Sequence, residues 1–236
     1  IAILLLKIKW AMRHIAIEEI PNLPHLKDKE KINLSQILEI ASGAYFMDKQ
    51  EKQFALVLFE MTQLSLKHGN SQNSNMAWIA LAMTEVQQGH FQKAEALGKT
   101  TLQINTHFPE SSTSGKTEFI FHSHITPWTT SFKTSIPKLK KSHEKCLENN
   151  DYLFGSASIF FIIFFQFFSG KRLNEMLKEL EIFDIFFQKN TINSHNSYKI
   201  YYSIIRQFSD PTHSLNKFYL YPTQYEHEFK NDITAY

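Results

Sequence analysis

A chain of 236 residues is long enough for one large domain or two small ones, and with 43% apolar and 20% charged residues it can fill a core. The net charge of +2 gives no broad electrostatic ground for nucleic-acid binding, and the single cysteine, Cys146, excludes an internal disulfide and suits a reducing, cytoplasmic setting. Seven Gly and seven Pro are too few for a turn-rich β-sandwich and suit long helices, while the 21 Phe, with many Ile, Lys and Asn, have the look of an AT-rich genome.

The chain opens on Ile1 rather than Met. Residues Ile1–Ile20 join the apolar run IAILLL to Lys7, Lys9, Trp10 and Arg13. The run is too short to span a bilayer, and its basic residues follow it, the wrong order for a signal peptide. It reads as the back half of a helix whose front half is missing, ended by Pro21-Asn22-Leu23-Pro24. Lys27–Lys31 is a charged link. Asn33 or Ser35 caps the next helix, which carries Ile37, Leu38, Ala41, Ala44 and Tyr45 on one face. Asp48 and Lys49 form a turn. A helix from Phe54 to Lys67 follows, with Phe54, Leu58, Met61, Leu64 and Ser65 at helical spacing and Gly69 as its terminal glycine.

Asn75 to His107 reads as two helices meeting at a tight turn, the unit around which the chain is organised. Trp78, Leu81 and Ala82 share a face of the first helix. Gly89 supplies the positive φ of the turn, Phe91 opens the second helix, and Ala94, Leu97 and Leu102 form its buried side. The tetratricopeptide pattern is W-x₂-L-G-x₂-Y, then A-x₃-F, then P. Trp78, Leu81, the small Ala82, Gly89 and Ala94 fit it. Glu85 and Gly98 stand where its aromatic residues belong, and no proline closes the second helix before Pro109.

Pro109–Gly115 is a polar, flexible loop, and Lys116–Trp128 a short apolar helix that loses its last turn to Pro127. Ser135-Ile136-Pro137 reads as the cap and first-turn proline of a helix to Asn149, with Ile136, Leu139, His143 or Cys146, and Leu147 inward. Asn149-Asn150-Asp151 is a second inter-helix turn. Tyr152–Phe168 is the most apolar segment. Gly155, Ser156, Ser158 and Gln166 dilute it and charged helices flank it, so it reads as a helix buried all round rather than a membrane span. Ser169-Gly170-Lys171 is a third turn. Leu173–Phe187 sets Leu173, Leu177, Leu180, Ile182 and Phe186 against Lys178, Glu179 and Glu181, and Ser197–Phe208 is a further apolar helix. The expected fold is therefore all-α, about nine helices stacked as antiparallel pairs in a TPR-like α-α superhelix. It occupies residues 1–209, with an irregular tail at 210–236.

Several pieces in order resemble the helical region of large multi-domain signalling ATPases. Those proteins join a Ser/Thr-kinase-like domain, a P-loop ATPase, a TPR-like region, a GAF domain and often a histidine kinase. The pieces are Leu64-Ser65-Leu66-Lys67-His68-Gly69-Asn70-Ser71 with Ser74, then Gly89 with Phe91 and Ala94-x₃-Gly98. Pro127-Trp128 follows, and last comes Phe167-Phe168-Ser169-Gly170-Lys171-x-Leu173. The resemblance covers Leu34 to Ser209 and implies a regulatory or scaffolding segment between ATPase and GAF domains, with other domains of a longer protein or a separate protein as its partner. The kinase and nucleotide motifs of that family are absent from this chain.

No catalytic, cofactor-binding or metal-ligating residue is assigned. His122-x-His124 places two imidazoles on divergent sides of a helix, without a third ligand nearby. His143 and Cys146 form an i, i+3 pair with no visible oxyanion site or orienting partner. Ser114-Gly115-Lys116-Thr117 matches only the end of a P-loop. Lys133, Lys138, Lys140, Lys141 and Lys145 form a basic run that fits a solvated helix face. The leading expectation is thus a non-catalytic protein-interaction module. An enzyme with an inter-helix pocket near His143 and Cys146, or a membrane-associated protein using residues 152–168, is the alternative.

Overall fold

The computed structural model describes residues 2–189 and 195–209, and among these it is helical with no strand. The expected tail at 210–236 lies outside the described residues. The chain divides into two compact units, Ile1–Thr130 and Ser131–Tyr236.

The first unit contains α1 (Ala2–Ala11), a 3₁₀ turn (Ile17–Asn22), α2 (Lys29–Met47), α3 (Glu51–His68), α4 (Ser74–Gln87), α5 (Phe91–His107) and α6 (Ser114–Ile120). A π turn (Phe121–Ile125) and a 3₁₀ turn (Thr126–Trp128) continue α6. The second unit contains α7 (Phe132–Glu148), α8 (Tyr152–Phe168), α9 (Leu173–Lys189) and α10 (His195–Ser209). The most extensive pairings are α7 with α8, α4 with α5 and α2 with α3, each a hairpin of consecutive helices.

One turn closes all three hairpins and also joins α8 to α9. Its central residue lies in the left-handed region: Lys49 at φ 54°, Gly89 at 78°, Asn150 at 58° and Gly170 at 74°. The next residue donates its N–H five residues back, Gln50 to Tyr45, His90 to Glu85, Asp151 to Cys146 and Lys171 to Gln166, at 2.8–3.1 Å. The central residue donates three back, to Phe46, Val86, Leu147 and Phe167, at 2.9–3.2 Å. This is the Schellman arrangement, which satisfies carbonyls that a helix end leaves open. The turns expected at Asp48-Lys49, Gly89, Asn150 and Gly170 all stand where the sequence places them.

The core of the first unit is the α4–α5 hairpin. Trp78, Ala82, Ala94 and Leu97 are fully buried and Leu81 nearly so, while Leu102 packs at the edge. The two departures from the tetratricopeptide pattern each have a structural reason. Glu85 is buried and ion-paired, its carboxylate 2.7 Å from His90 Nδ1 and 2.9 Å from Lys93 Nζ, so it ties the hairpin together across the turn. Gly98 leaves bare backbone against which Phe121 packs, and a Cβ there would lie 2.2 Å from that ring. Trp78 Nε1 donates to Asn70 Oδ1 at 3.3 Å, and Asn70 Nδ2 donates to the Ile20 carbonyl at 2.8 Å. The backbone of Asn70 also pairs with Pro24 and Leu26. Gly69 makes that approach possible: its φ is +99° and a Cβ would sit 1.9 Å from the Pro24 carbonyl oxygen.

Several expectations need correction. Ile1–Ile20 is not one helix, because α1 ends at Ala11 and the chain resumes as the 3₁₀ turn at Ile17. Neither Asn33 nor Ser35 caps α2. Asp28 does, its carboxylate accepting from Glu30 N and Lys31 N. Ile37 and Ala44 are exposed, and the inward face of α2 holds Ser35 and Ser42 beside Leu38, Ala41 and Tyr45. The Pro109–Gly115 segment is not a flexible loop: Ser111, Thr113 and Ser114 are buried, and α6 already starts at Ser114. Helix α7 begins at Phe132, with Ser131 in the cap position, so Pro137 lies inside it and Ile136 is only half-buried. Ile182 of α9 is exposed, and Met176, Leu180 and Phe187 are the buried residues of that helix.

Helix α8 keeps its expected bounds but is not buried all round. Gly155, Ser156, Ser158, Ile159, Ile162, Ile163, Phe165 and Gln166 are inside, Phe160, Phe161 and Phe164 are half-buried, and Tyr152, Leu153 and Phe168 are exposed. The small residues face inward because α7 comes close: a Cβ on Gly155 would be 3.1 Å from the Leu147 side chain. Among the described residues no helix is long and apolar enough to cross a membrane.

Candidate functional site

The residues singled out for chemistry sit in different surroundings, some buried and some exposed. Ser114-Gly115-Lys116-Thr117 forms the first turn of α6. Lys116 Nζ is 2.8 Å from Glu39 Oε1 of α2, both largely buried. Thr117 Oγ1 accepts from Asn105 Nδ2 at 2.9 Å, Asn105 Oδ1 accepts from Asn75 Nδ2 at 2.6 Å, and Asn75 Oδ1 accepts from Thr113 Oγ1 at 2.8 Å. This buried chain of amides and hydroxyls joins α4, α5 and α6. A second chain runs through Ser35, Ser71, Ser74 and Ser65, with hydroxyl contacts of 2.7 Å between Ser35 and Ser71 and between Ser65 and Ser74. The stretch from Leu64 to Ser74 is therefore rich in Ser and Asn because it must satisfy buried polar groups where three helices meet.

His122 and His124 lie on the π turn. Burial pushes the His124 pKa down to about 4, and its Nδ1 meets Ser123 Oγ at 2.5 Å. Among the described residues no group of three His, Cys, Asp or Glu could hold a metal ion.

The structure does not arrange His143 and Cys146 as base and nucleophile. Cys146 is 1% exposed on the α7 side that packs on α8. His143 Nδ1 lies 2.8 Å from the Gly155 carbonyl, and the ring meets Phe183 and Phe186 edge-on. Burial pushes its pKa down, with the Gly155 carbonyl and Glu144 opposing. His143 instead borders a cavity of about 230 Å³ between α7, α8 and α9.

The basic run on α7 is divided. Lys133, Lys138 and Lys141 are exposed, whereas Lys140 joins Lys171 on Glu179 Oε1, each at 3.0 Å. Gln166 Nε2 donates to the other oxygen at 2.6 Å. Burial works against the Glu179 carboxylate, but the bonds from Gln166, Lys171 and Lys140 outweigh it and hold its pKa below the usual value. Glu179 is the polar anchor of the second unit. Sequence reasoning placed it on the solvent side of an amphipathic helix, since nothing in the local pattern signals a lysine pair from other segments.

Among the described residues, exposed apolar side chains line α1 (Ile3, Leu6 and Trp10) and the outer face of α2. Ile37, Ile40 and Met47 are 63%, 69% and 61% exposed, and Ala44 lies between them. Their spacing of three, four and three places them on one stripe, opposite buried Ser35 and Ser42. The face is also free of open charge over its middle turns, because Glu39, the charged residue between Lys31 and Asp48, is held by Lys116.

Comparison of the chain with protein-family models, with curated proteins and with solved structures gives no match.

Proposed function

We propose that this chain is a non-catalytic helical-repeat module whose work is protein–protein interaction or regulation. The α2 stripe carries the reading: beyond Leu38, Ala41 and Tyr45, which pack inward with two serines, the helix leaves Ile37, Ile40 and Met47 in water as a second apolar face. The repeated hairpin turn supports a second part of the proposal, that the helix pairs stack in series as a TPR-like superhelix with a continuous docking surface. The resemblance to the segment between ATPase and GAF domains of signalling ATPases gives a third part: the partner is another domain of such a protein, or a protein that binds it.

The test is capture from native cells with the wild-type chain and with the Ile37→Glu/Ile40→Glu double variant. Wild type is expected to retain a protein partner and the variant to lose it at an unchanged circular dichroism spectrum. Equal capture by both overturns the role of the stripe. For the family part, the DNA on either side of the gene is expected to encode a P-loop domain upstream or a GAF-like domain downstream in open frame, and unrelated genes on both sides overturn it.

A further inference from the structure

We propose that the cavity between α7, α8 and α9 is a binding site for an organic cation: an ammonium or guanidinium group with N–H donors on an apolar body. Its walls are Ile162, Ile182 and Phe183, and its polar groups are Lys140, His143, Glu144 and Glu179. The donors and acceptors at its rim are unequally engaged. Lys140 is committed to Glu179, as are Lys171 and Gln166 beside it. The acceptors are in surplus. The Gly155 carbonyl only accepts, so His143 Nδ1 is the donor in that 2.8 Å bond. The neutral ring then carries its lone pair on Nε2. Glu144, one residue along α7, is exposed and forms no ion pair with another described residue. A ligand that fits must bring donors for Nε2 and the Glu144 carboxylate and an apolar body for the isoleucines and Phe183, whose ring face also favours a cation. An anion would meet the Glu144 and Glu179 carboxylates, and the lysine of the lining, Lys140, is already engaged by Glu179.

This chemistry has two sources, an arginine side chain of a peptide and a small arylalkylamine. Both are tested by titrating the full chain, followed by calorimetry and by NMR shifts of α7 and α9 amides. The probes are blocked arginine amide, phenethylammonium and phenylacetate. At least one cation is expected to bind with a dissociation constant on the order of 1 mM or tighter, with phenylacetate about tenfold weaker or more. Stronger binding of the arginine amide assigns the site to a peptide, and stronger binding of phenethylammonium assigns it to a free amine. Glu144→Gln is expected to weaken the cation about tenfold with little change in melting temperature, since Glu144 is exposed and the substitution keeps its shape. Phenylacetate binding as well as the cations, no cation binding, or a Glu144→Gln affinity equal to wild type each overturns the proposal. The α2 variants leave this site untouched, so its failure and that of the interaction reading are separate results.

Discussion

The hairpins α2–α3 and α4–α5 are closed by the same turn and belong to the same unit, yet they spend their apolar residues in opposite ways. Helix α4 packs against α3, α5 and α6, and buries Ala77, Trp78, Ile79, Leu81 and Ala82. Helix α2 packs extensively on α3 alone, and its Ile37 and Ile40 stay outside while two serines go in. The turn decides that two helices become a pair. The number of neighbours a helix has decides which of its apolar residues become core. Periodicity reports the apolar positions and is silent on the neighbours.

The largest expected effect is at the centre of the better-covered hairpin. Trp78→Ala removes a fully buried indole and its bond to Asn70, and by the usual cost of such a cavity it should destabilise the chain by about 3–5 kcal/mol in urea unfolding. A loss under about 1 kcal/mol would mean that Trp78 is no more central than the α2 isoleucines, and the contrast between the hairpins would fail.

The next effect concerns the end of the same unit, where His124 is held neutral by burial. Its folded pKa of about 4 lies below the ordinary 6.5. Above pH 6.5 both states are neutral there and it contributes nothing. As pH falls from 6.5 toward 4 the unfolded chain takes up a proton that the folded chain refuses, so stability falls by roughly 3 kcal/mol at most and then levels off. His124→Phe should remove that part of the acid sensitivity. Unfolding free energies at pH 7.5 and 4.5 for both proteins check it, and equal losses on acidification would show that the imidazole is not buried as described.

The turns test what the two hairpins have in common. Lys49 and Gly89 occupy the same left-handed position, at φ 54° and 78°. A side chain there costs on the order of 1 kcal/mol against glycine. Lys49→Gly should therefore raise stability by about 0.5–1 kcal/mol, a few degrees in melting temperature, and Gly89→Ala should lower it by a similar amount. No atom would crowd a Cβ at Gly89, so the cost there is conformational alone. Effects of the same sign from both substitutions would show that the turns are not equivalent.

Much of this was legible from local chemistry. Gly89, Asn150 and Gly170 mark turns because few other residues tolerate positive φ, and Trp78 with Leu81 and Ala82 marks a core face because the spacing matches one side of a helix. What was not legible depends on partners distant in sequence. Ser35 is buried because Ser71 offers it a hydroxyl, Glu179 is an anchor because Lys140 and Lys171 converge on it, and Gly98 is small because Phe121 arrives from the following element. The cavity beside His143 was approached through its link with Cys146. That link dissolves once Nδ1 is found on the Gly155 carbonyl and the thiol buried against α8.

The smallest expected effect is the most direct measure of the contrast. Ile40→Ser and Ile79→Ser make the same chemical change on helices of the same unit, one at an exposed position and one at a fully buried position. Burying an isoleucine side chain is worth about 1.5–3 kcal/mol by transfer alone, and a serine in its place at position 79 adds a cavity and a hydroxyl to satisfy. At position 40 neither term applies, and the change should stay within about 0.5 kcal/mol and reduce nonspecific association. If Ile40→Ser instead destabilises the isolated chain by more than 1.5 kcal/mol or so, the stripe is part of this chain's own core and is not available to a partner. If it is neutral in isolation but weakens a purified complex, the residue belongs to the surface that its exposure on α2 describes.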